Sequence, residues 1–285
     1  MANAPDVGLI RSMAAQMRLD VVEMIAKAGS GHPGGSLSAA DIVAALYFGV
    51  MKHDPADPSW EGRDRFVLSK GHAAPVLYAA LAESGYIDRE HLGTLRKLGS
   101  ILQGHPDSKK VPGVEVSTGS LGQGLSISNG IALGLKLDRS ASRVFCLMGD
   151  GELQEGQVWE AAMFAAHHGV DNLVAIVDHN GLQIDGACSD VMCLGDVEAK
   201  FGAFGWRTII ADGHDVEALL RAFEAAETAL GGGVPVVIVC STVKGKGVSF
   251  MEGNAGWHGK APNADETQRA VAELTAVLEK EAARG

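Results

Sequence analysis

Two short polar clusters contain the residue types that hold an anion through a metal ion. Asp150 lies in Gly149-Asp150-Gly151-Glu152-Leu153-Gln154-Glu155-Gly156, and Asn180 in Asp178-His179-Asn180-Gly181-Leu182. Each follows an apolar run that predicts a strand, Val144-Phe145-Cys146-Leu147-Met148 and Leu173-Val174-Ala175-Ile176-Val177. Between them, Val158 to His168 predicts a helix that Gly169 ends. A β-α-β unit makes its strands parallel and puts both clusters at the carboxyl ends, where α/β sheets bind ligands. An aspartate and an amide oxygen held there suit a hard divalent cation such as Mg2+, which shares its oxygen shell with a diphosphate. Gly149 and Gly151 let the backbone approach such a group without a Cβ in the way. Taken alone, Asp150 and Asn180 would serve equally to close turns.

The ten histidines divide by their surroundings. His53, His91, His167, His168 and His214 have the pattern of surface or satisfied core residues. His32, His72, His105 and His258 each lie in a turn marked by glycine or proline. Imidazole titrates close to neutrality, so such residues can donate protons to hydroxyl groups and take them back.

The elements that must position these residues follow from hydrophobic periodicity. Ile10, Met13, Ala14, Met17, Val21, Met24 and Ile25 share one helical face, and Gly29 ends that helix. Ser38-Ala39-Ala40-Asp41 has the form of a capping box opening a second helix through Ile42 to Phe48. Arg65 to Leu68 predicts a strand, with Pro75 suited to the first turn of the following helix. Gly122 to Leu137 predicts a buried helix packed closely on the sheet. Arg207 to Ile210 and Val234 to Val239 predict further strands, separated by a helix from Val216 to Leu230. Lys244 to Gly259 reads as a loop, and a polar helix begins near Asp265. This alternation indicates one domain over residues 1–285: an α/β fold with a doubly wound, mainly parallel sheet and helices on both faces.

Bulk properties narrow the function. The 285 residues are 46% hydrophobic, enough for a sheet buried on both sides. Lys and Arg number 24 against 35 Asp and Glu, a formal charge of −11. That balance disfavours nucleic acid and anionic membrane, so an anionic ligand must be held by local features. No continuous apolar stretch predicts a signal peptide or a membrane span. Cys146, Cys188, Cys193 and Cys240 show no CxxC spacing, and a reducing cytoplasm is the expected compartment. No GxGxxG follows the first strand, which argues against a nicotinamide-binding protein.

The Asp150–Asn180 pair resembles the thiamine diphosphate signature, and the surrounding sequence resembles transketolase. Ser30-Gly31-His32-Pro33-Gly34, Ser69-Lys70-Gly71-His72, Gly104-His105-Pro106, Ser117 to Gly124 and Trp257-His258-Gly259 match that family's motifs in order, from about Ile10 to Pro262. The resemblance implies thiamine diphosphate with Mg2+ (Ca2+ or Mn2+ as alternatives), the metal held by Asp150, Asn180 and the Leu182 carbonyl. It places Gly119, Ser120 and Leu121 along the aminopyrimidine, although the family more often has proline at the position of Ser120. His72 would lie near the diphosphate together with Gly149, Gly151 and Lys244. His105 would meet the transferred two-carbon unit, and His32 and His258 would contact sugar oxygens. Glu155 and Glu160 resemble interface glutamates that link paired sites.

In this family the cofactor supplies the carbanion chemistry, and the carboxylate that activates it belongs to a later, pyrimidine-binding domain. The chain is expected to lack that domain and the C-terminal one. The expectation is therefore one half of a split transketolase, joined to a separate C-terminal subunit in an α2β2 assembly and acting on sugars or sugar phosphates. Two alternatives stand beside it: half of another thiamine diphosphate enzyme, such as a deoxyxylulose-phosphate synthase, and a non-catalytic cofactor-binding subunit.

Overall fold

The computed structural model describes residues 5–283; residues 1–4 and 284–285 of the expected domain lie outside it. Five parallel strands form the central sheet: β1 (Arg65–Leu68), β2 (Val144–Gly149), β3 (Leu173–His179), β6 (Arg207–Asp212) and β7 (Val236–Ser241). Their spatial order is β1-β2-β3-β7-β6. Two short strands, β4 (Leu182–Gln183) and β5 (Gly186–Ala187), pair antiparallel as a separate hairpin beyond β3.

Alternate residues of each strand point to opposite faces, and both faces are covered. Phe66, Leu68, Phe145, Leu147, Val174, Ile176, Val236 and Ile238 pack into one core with helices α1 (Val7–Ala28), α3 (Ala40–Ala45), α4 (Ala74–Glu83), α9 (Val216–Ala229) and α10 (Ala264–Ala282). Val67, Val144, Cys146, Met148, Ala175, Val177, Val237 and Val239 pack into a second core with α5 (Gln123–Leu137), α6 (Gly156–His167) and α8 (Val197–Ala203). The doubly wound fold expected from the alternating runs is the one observed.

Local chemistry sets the element ends. The Asp6 carboxylate caps α1 by accepting from Leu9 N at 3.0 Å, and Gly29 closes it at φ 65°, where a side chain would be strained. The expected capping box at Ser38 does not form. Ser38 ends a short helix, α2 (Pro33–Ser38), and its hydroxyl is engaged by Asp178, so α3 starts at Ala40, after Ala39, without a side-chain cap. The hydroxyl donates to a buried carboxylate, a charge-assisted bond stronger than the neutral one it would accept from a helix N–H as a cap. Helix α5 departs from the expectation of a buried helix. Gly124, Leu125, Ser128, Asn129 and Ala132 are buried, while Gly130, Lys136 and Leu137 face outward. The last strand starts at Val236 rather than Val234, after Pro235, whose ring removes a ladder donor. A single helical turn, α7 (Cys188–Val191), completes the helix set. Among the described residues no helix is long and apolar enough to cross a membrane.

Candidate active site

The loops after β1, β2, β3 and β7 leave the sheet at the same edge and enclose a crevice of about 340 Å³. Its floor is an ionic network. Lys70, just past β1, donates to the Gly35 carbonyl at 2.9 Å and pairs with Asp178 at the end of β3. Asp178 also accepts from Ser38 Oγ at 2.6 Å and from the Thr242 hydroxyl. Burial acts to raise the Asp178 carboxyl, but the Lys70 charge and these donors outweigh it and hold the group below its ordinary range. The segments after β1 and β7, together with α2, are thereby fixed on one buried anion of β3.

Glu152 performs a similar task on the opposite wall. Its carboxylate accepts from Ser69 Oγ, from Gly122 N at 2.9 Å and from Gly149 N at 3.0 Å. Burial pushes the carboxyl up, opposed by these three donors in that order. Glu152 thus ties together the end of β1, the start of α5 and the end of β2. Close packing here leaves no room for side chains: a Cβ on Gly124 would lie 2.2 Å from Ser69 Oγ, and one on Gly71 would lie 2.7 Å from Gly119 N.

Asp150 lies between these anchors and is only 1% exposed. Its Oδ1 accepts from Gly151 N at 2.8 Å and its Oδ2 from Gly181 N. It takes part in no ion pair among the described residues, and burial, followed by the nearby Asp178 charge, raises its pKa. Asn180 Oδ1 accepts from Leu182 N at 3.1 Å. The Leu182 carbonyl accepts from Lys244 Nζ at 3.2 Å. A buried carboxylate without an ion pair among the described residues, an amide oxygen and a carbonyl already facing a cation form a hard-oxygen donor set that fits a divalent cation. No cluster of three or more His, Cys, Asp or Glu suited to a metal occurs among the described residues.

The histidines stand around this crevice. The ring centroids of His32, His72 and His258 lie 5.3 Å, 5.5 Å and 5.1 Å apart pairwise. Lys244 Nζ reaches His258 Nδ1 at 2.9 Å, which makes Nδ1 the acceptor and leaves the proton on Nε2. Burial first, then neighbouring cations, pulls His72 down to about 2, His258 to about 3 and His32 to about 4, so all three are neutral imidazoles. Lys244 is itself drawn down to about 8 by burial and by Lys70. His105 is exposed and lies over Gly119, where a Cβ would come within 2.9 Å of its ring.

Of the residues singled out by sequence, His72, Gly119, Leu121, Gly149, Asp150, Gly151, Glu155, Asn180, Leu182, Lys244 and His258 line the crevice. His32 borders it through its contacts with His72 and His258. Ser120 is exposed and is not part of the lining, and Glu160 lines a separate cleft with Phe164 and Ser126. Sequence reasoning missed Ser38, Lys70, Glu152, Asp178 and Thr242, as well as Gln154, Gln183 and Ile184 in the lining. Lys70, Glu152 and Asp178 were visible as charged residues at the ends of apolar strands, a position that demands a partner.

Comparison with known proteins gives the family and the fold. Residues 10–277 match the family model described as transketolase, thiamine diphosphate binding domain. The chain is 44% identical over 93% of its length to the 6-deoxy-6-sulfo-D-fructose transketolase subunit SqwG of Clostridium sp., covering 96% of that protein. It is also 44% identical to one subunit of the apulose-4-phosphate transketolase of Phocaeicola vulgatus, covering 92% of each. Human transketolase is 42% identical over 93% of this chain, which spans 42% of that protein. The crystal structure of Campylobacter jejuni transketolase superposes with a TM-score of 0.87 at 33% identity, over 96% of this chain and 45% of the other. The chain thus spans less than half of those longer transketolases and almost all of the relatives named as subunits. It belongs to the transketolase family, as the family's thiamine diphosphate-binding domain.

Proposed function

We propose that this chain binds thiamine diphosphate through a divalent cation, Mg2+ for preference, and transfers a two-carbon ketol unit from a ketose to an aldose together with a separate C-terminal subunit. The observation that carries the reading is Asp150: a buried carboxylate with no ion pair among the described residues, beside Asn180 and the Leu182 carbonyl. These three would hold the cation. Gly149 and Gly151 line the crevice where the diphosphate would sit, and Lys244 and His72 would face it. Gly119, Ser120 and Leu121 would flank the pyrimidine. When bound, the cofactor supplies the carbanion chemistry that the side chains lack.

The chain's own residues bind and orient the sugar. His32 and His258, neutral and with hydrogen-bonding edges near the crevice, would exchange protons with sugar hydroxyls, and His105 would meet the transferred unit. Glu155 and Glu160 would lie at a contact with a second copy or with the partner. The two relatives named as subunits support a split assembly, with α2β2 the simplest form and the cytoplasm its expected location. The sugars in their names, a sulfonated fructose and apulose 4-phosphate, are the donors to assay first.

The histidine set favours transketolase over a deoxyxylulose-phosphate synthase half. The test is an assay of ketose donors against pyruvate with the C-terminal partner added. Ketol transfer that saturates with added partner supports the reading; decarboxylation of pyruvate, or turnover by the single chain, overturns it.

A further inference from the structure

We propose that Arg96 is a positioning residue for this site, holding His32 in the tautomer whose Nε2–H faces the substrate. The inference rests on the proposed ketol transfer for its kinetic consequence, but its structural content stands apart from it.

Arg96 is one of two residues other than glycine with positive φ among the described residues, at 58°. A β-carbon in the left-handed region is disfavoured, and such strain persists where the surroundings impose it. Here its own N–H donates to the Leu102 carbonyl at 2.8 Å, closing a loop that ends in Gly104-His105-Pro106. The Tyr78 hydroxyl fixes the same loop from below, 2.9 Å from the Gln103 carbonyl and 3.0 Å from that of His105. Gly104 makes room for the side chain, because a Cβ there would come within 3.0 Å of Arg96 Cζ. The glycine of that motif therefore serves the arginine.

The held guanidinium is not used in an ion pair with any carboxylate among the described residues. It reaches Ser30 Oγ at 2.9 Å and His32 Nδ1 at 3.4 Å. A guanidinium can only donate, so Nδ1 must be the acceptor and the ring proton sits on Nε2. The contact is long, as catalytic hydrogen bonds commonly are before substrate binds. His258 shows the same arrangement, with Lys244 at its Nδ1. Two cations thus set two facing imidazoles alike, each with Nε2–H available to a sugar oxygen. The Nε2 edge of His32 lies beside Gly259, where even an added Cβ would remain 3.4 Å away. The charged and titratable groups around His32 are Arg96, His105, Lys244, His72 and His258; burial and these cations keep the ring neutral.

The test uses the full chain labelled with 15N-histidine, with His32→Asn to assign the resonance, and steady-state ketol transfer with the C-terminal partner present. Wild type should show His32 as the Nε2–H tautomer. Arg96→Gln should give a tautomer mixture, a higher His32 protonation midpoint, and kcat/KM for the ketose donor about 10- to 100-fold lower. Thiamine diphosphate affinity should stay within about twofold, since Arg96 does not line the cofactor crevice. Arg96→Lys keeps the charge but loses the fork, so it should restore part of the midpoint and little of the tautomer. Gly104→Ala displaces the guanidinium without removing it and should reproduce the tautomer change if Arg96→Gln fails to fold. A His32 ring with its proton on Nδ1, or a tautomer unaffected by Arg96→Gln, overturns the proposal. A locked tautomer in a complex that transfers nothing would instead sink only the functional reading.

Discussion

Glu152→Gln isolates the contribution of the carboxylate that joins three site loops. Three donors converge on it: Ser69 Oγ and Gly122 N on Oε1, and Gly149 N on Oε2. A glutamine offers one acceptor oxygen and one NH2 group. With its oxygen in the place of Oε1, the amide faces Gly149 N–H; flipped, it faces Gly122 N–H. Either way one buried backbone donor loses its partner, at a cost of about 1–3 kcal/mol. The two remaining bonds lose their charge assistance, which weakens them further. Against this, glutamine avoids the desolvation that pushes the Glu152 carboxyl up, so the net change is placed at about 1–3 kcal/mol destabilising. Urea unfolding should show a lower midpoint at unchanged slope, because the surface exposed on unfolding is the same. Affinity for thiamine diphosphate should fall as well, since Gly149 and Gly122 would no longer be held in register. A Glu152→Gln chain as stable as wild type, or more so, would refute the view that this carboxylate braces the site.

Two further outcomes follow from packing and charge. Gly124→Ala should destabilise by about 1–3 kcal/mol or more, because its Cβ would meet Ser69 Oγ at 2.2 Å and backbone Cα at 2.7 Å, more than offsetting any gain in helix propensity. Gly134→Ala in the same helix meets nothing within 4 Å and should instead stabilise the free chain by about 0.5–1 kcal/mol; equal effects in chemical denaturation would contradict the packing argument. Stability should also fall in acid. His72, His258 and His32 are held near 2, 3 and 4 against an ordinary 6.5, so below 6.5 the unfolded chain binds protons that the folded chain refuses. The full stability is present above that value, and His72→Asn should flatten the decline between about pH 7 and about pH 5, read from unfolding midpoints. An unchanged decline would mean that His72 is not held neutral.

Much of this was legible in the sequence because the relevant signals are local. The apolar runs around Phe145, Ile176 and Ile238 announced strands buried on both faces, and the polar residues just after them marked the ligand edge. Gly29 and Gly169 punctuated helices where their positive φ requires glycine. What stayed hidden is long-range pairing. Ser38 has the local form of a cap, yet Asp178, distant in the chain, takes its hydroxyl. Glu152 carries no local signal of its role, and only the fold brings Ser69 and Gly122 to it. Arg96 sits in a stretch without periodicity, and its role depends on a loop closing onto His32. The strand order, with β7 inserted between β3 and β6, is likewise not a property of any local segment.

The central claim is that Asp150, with Asn180 and the Leu182 carbonyl, takes up thiamine diphosphate through a divalent ion. Titration calorimetry of thiamine diphosphate into the chain assembled with its partner, in Mg2+ and in EDTA, tests it most directly. The account predicts uptake in Mg2+, none in EDTA, and loss of at least about 100-fold in affinity for Asp150→Asn, which removes the buried charge while keeping the shape. Binding of equal strength in EDTA, or an Asp150→Asn chain that binds as wild type does, would contradict it.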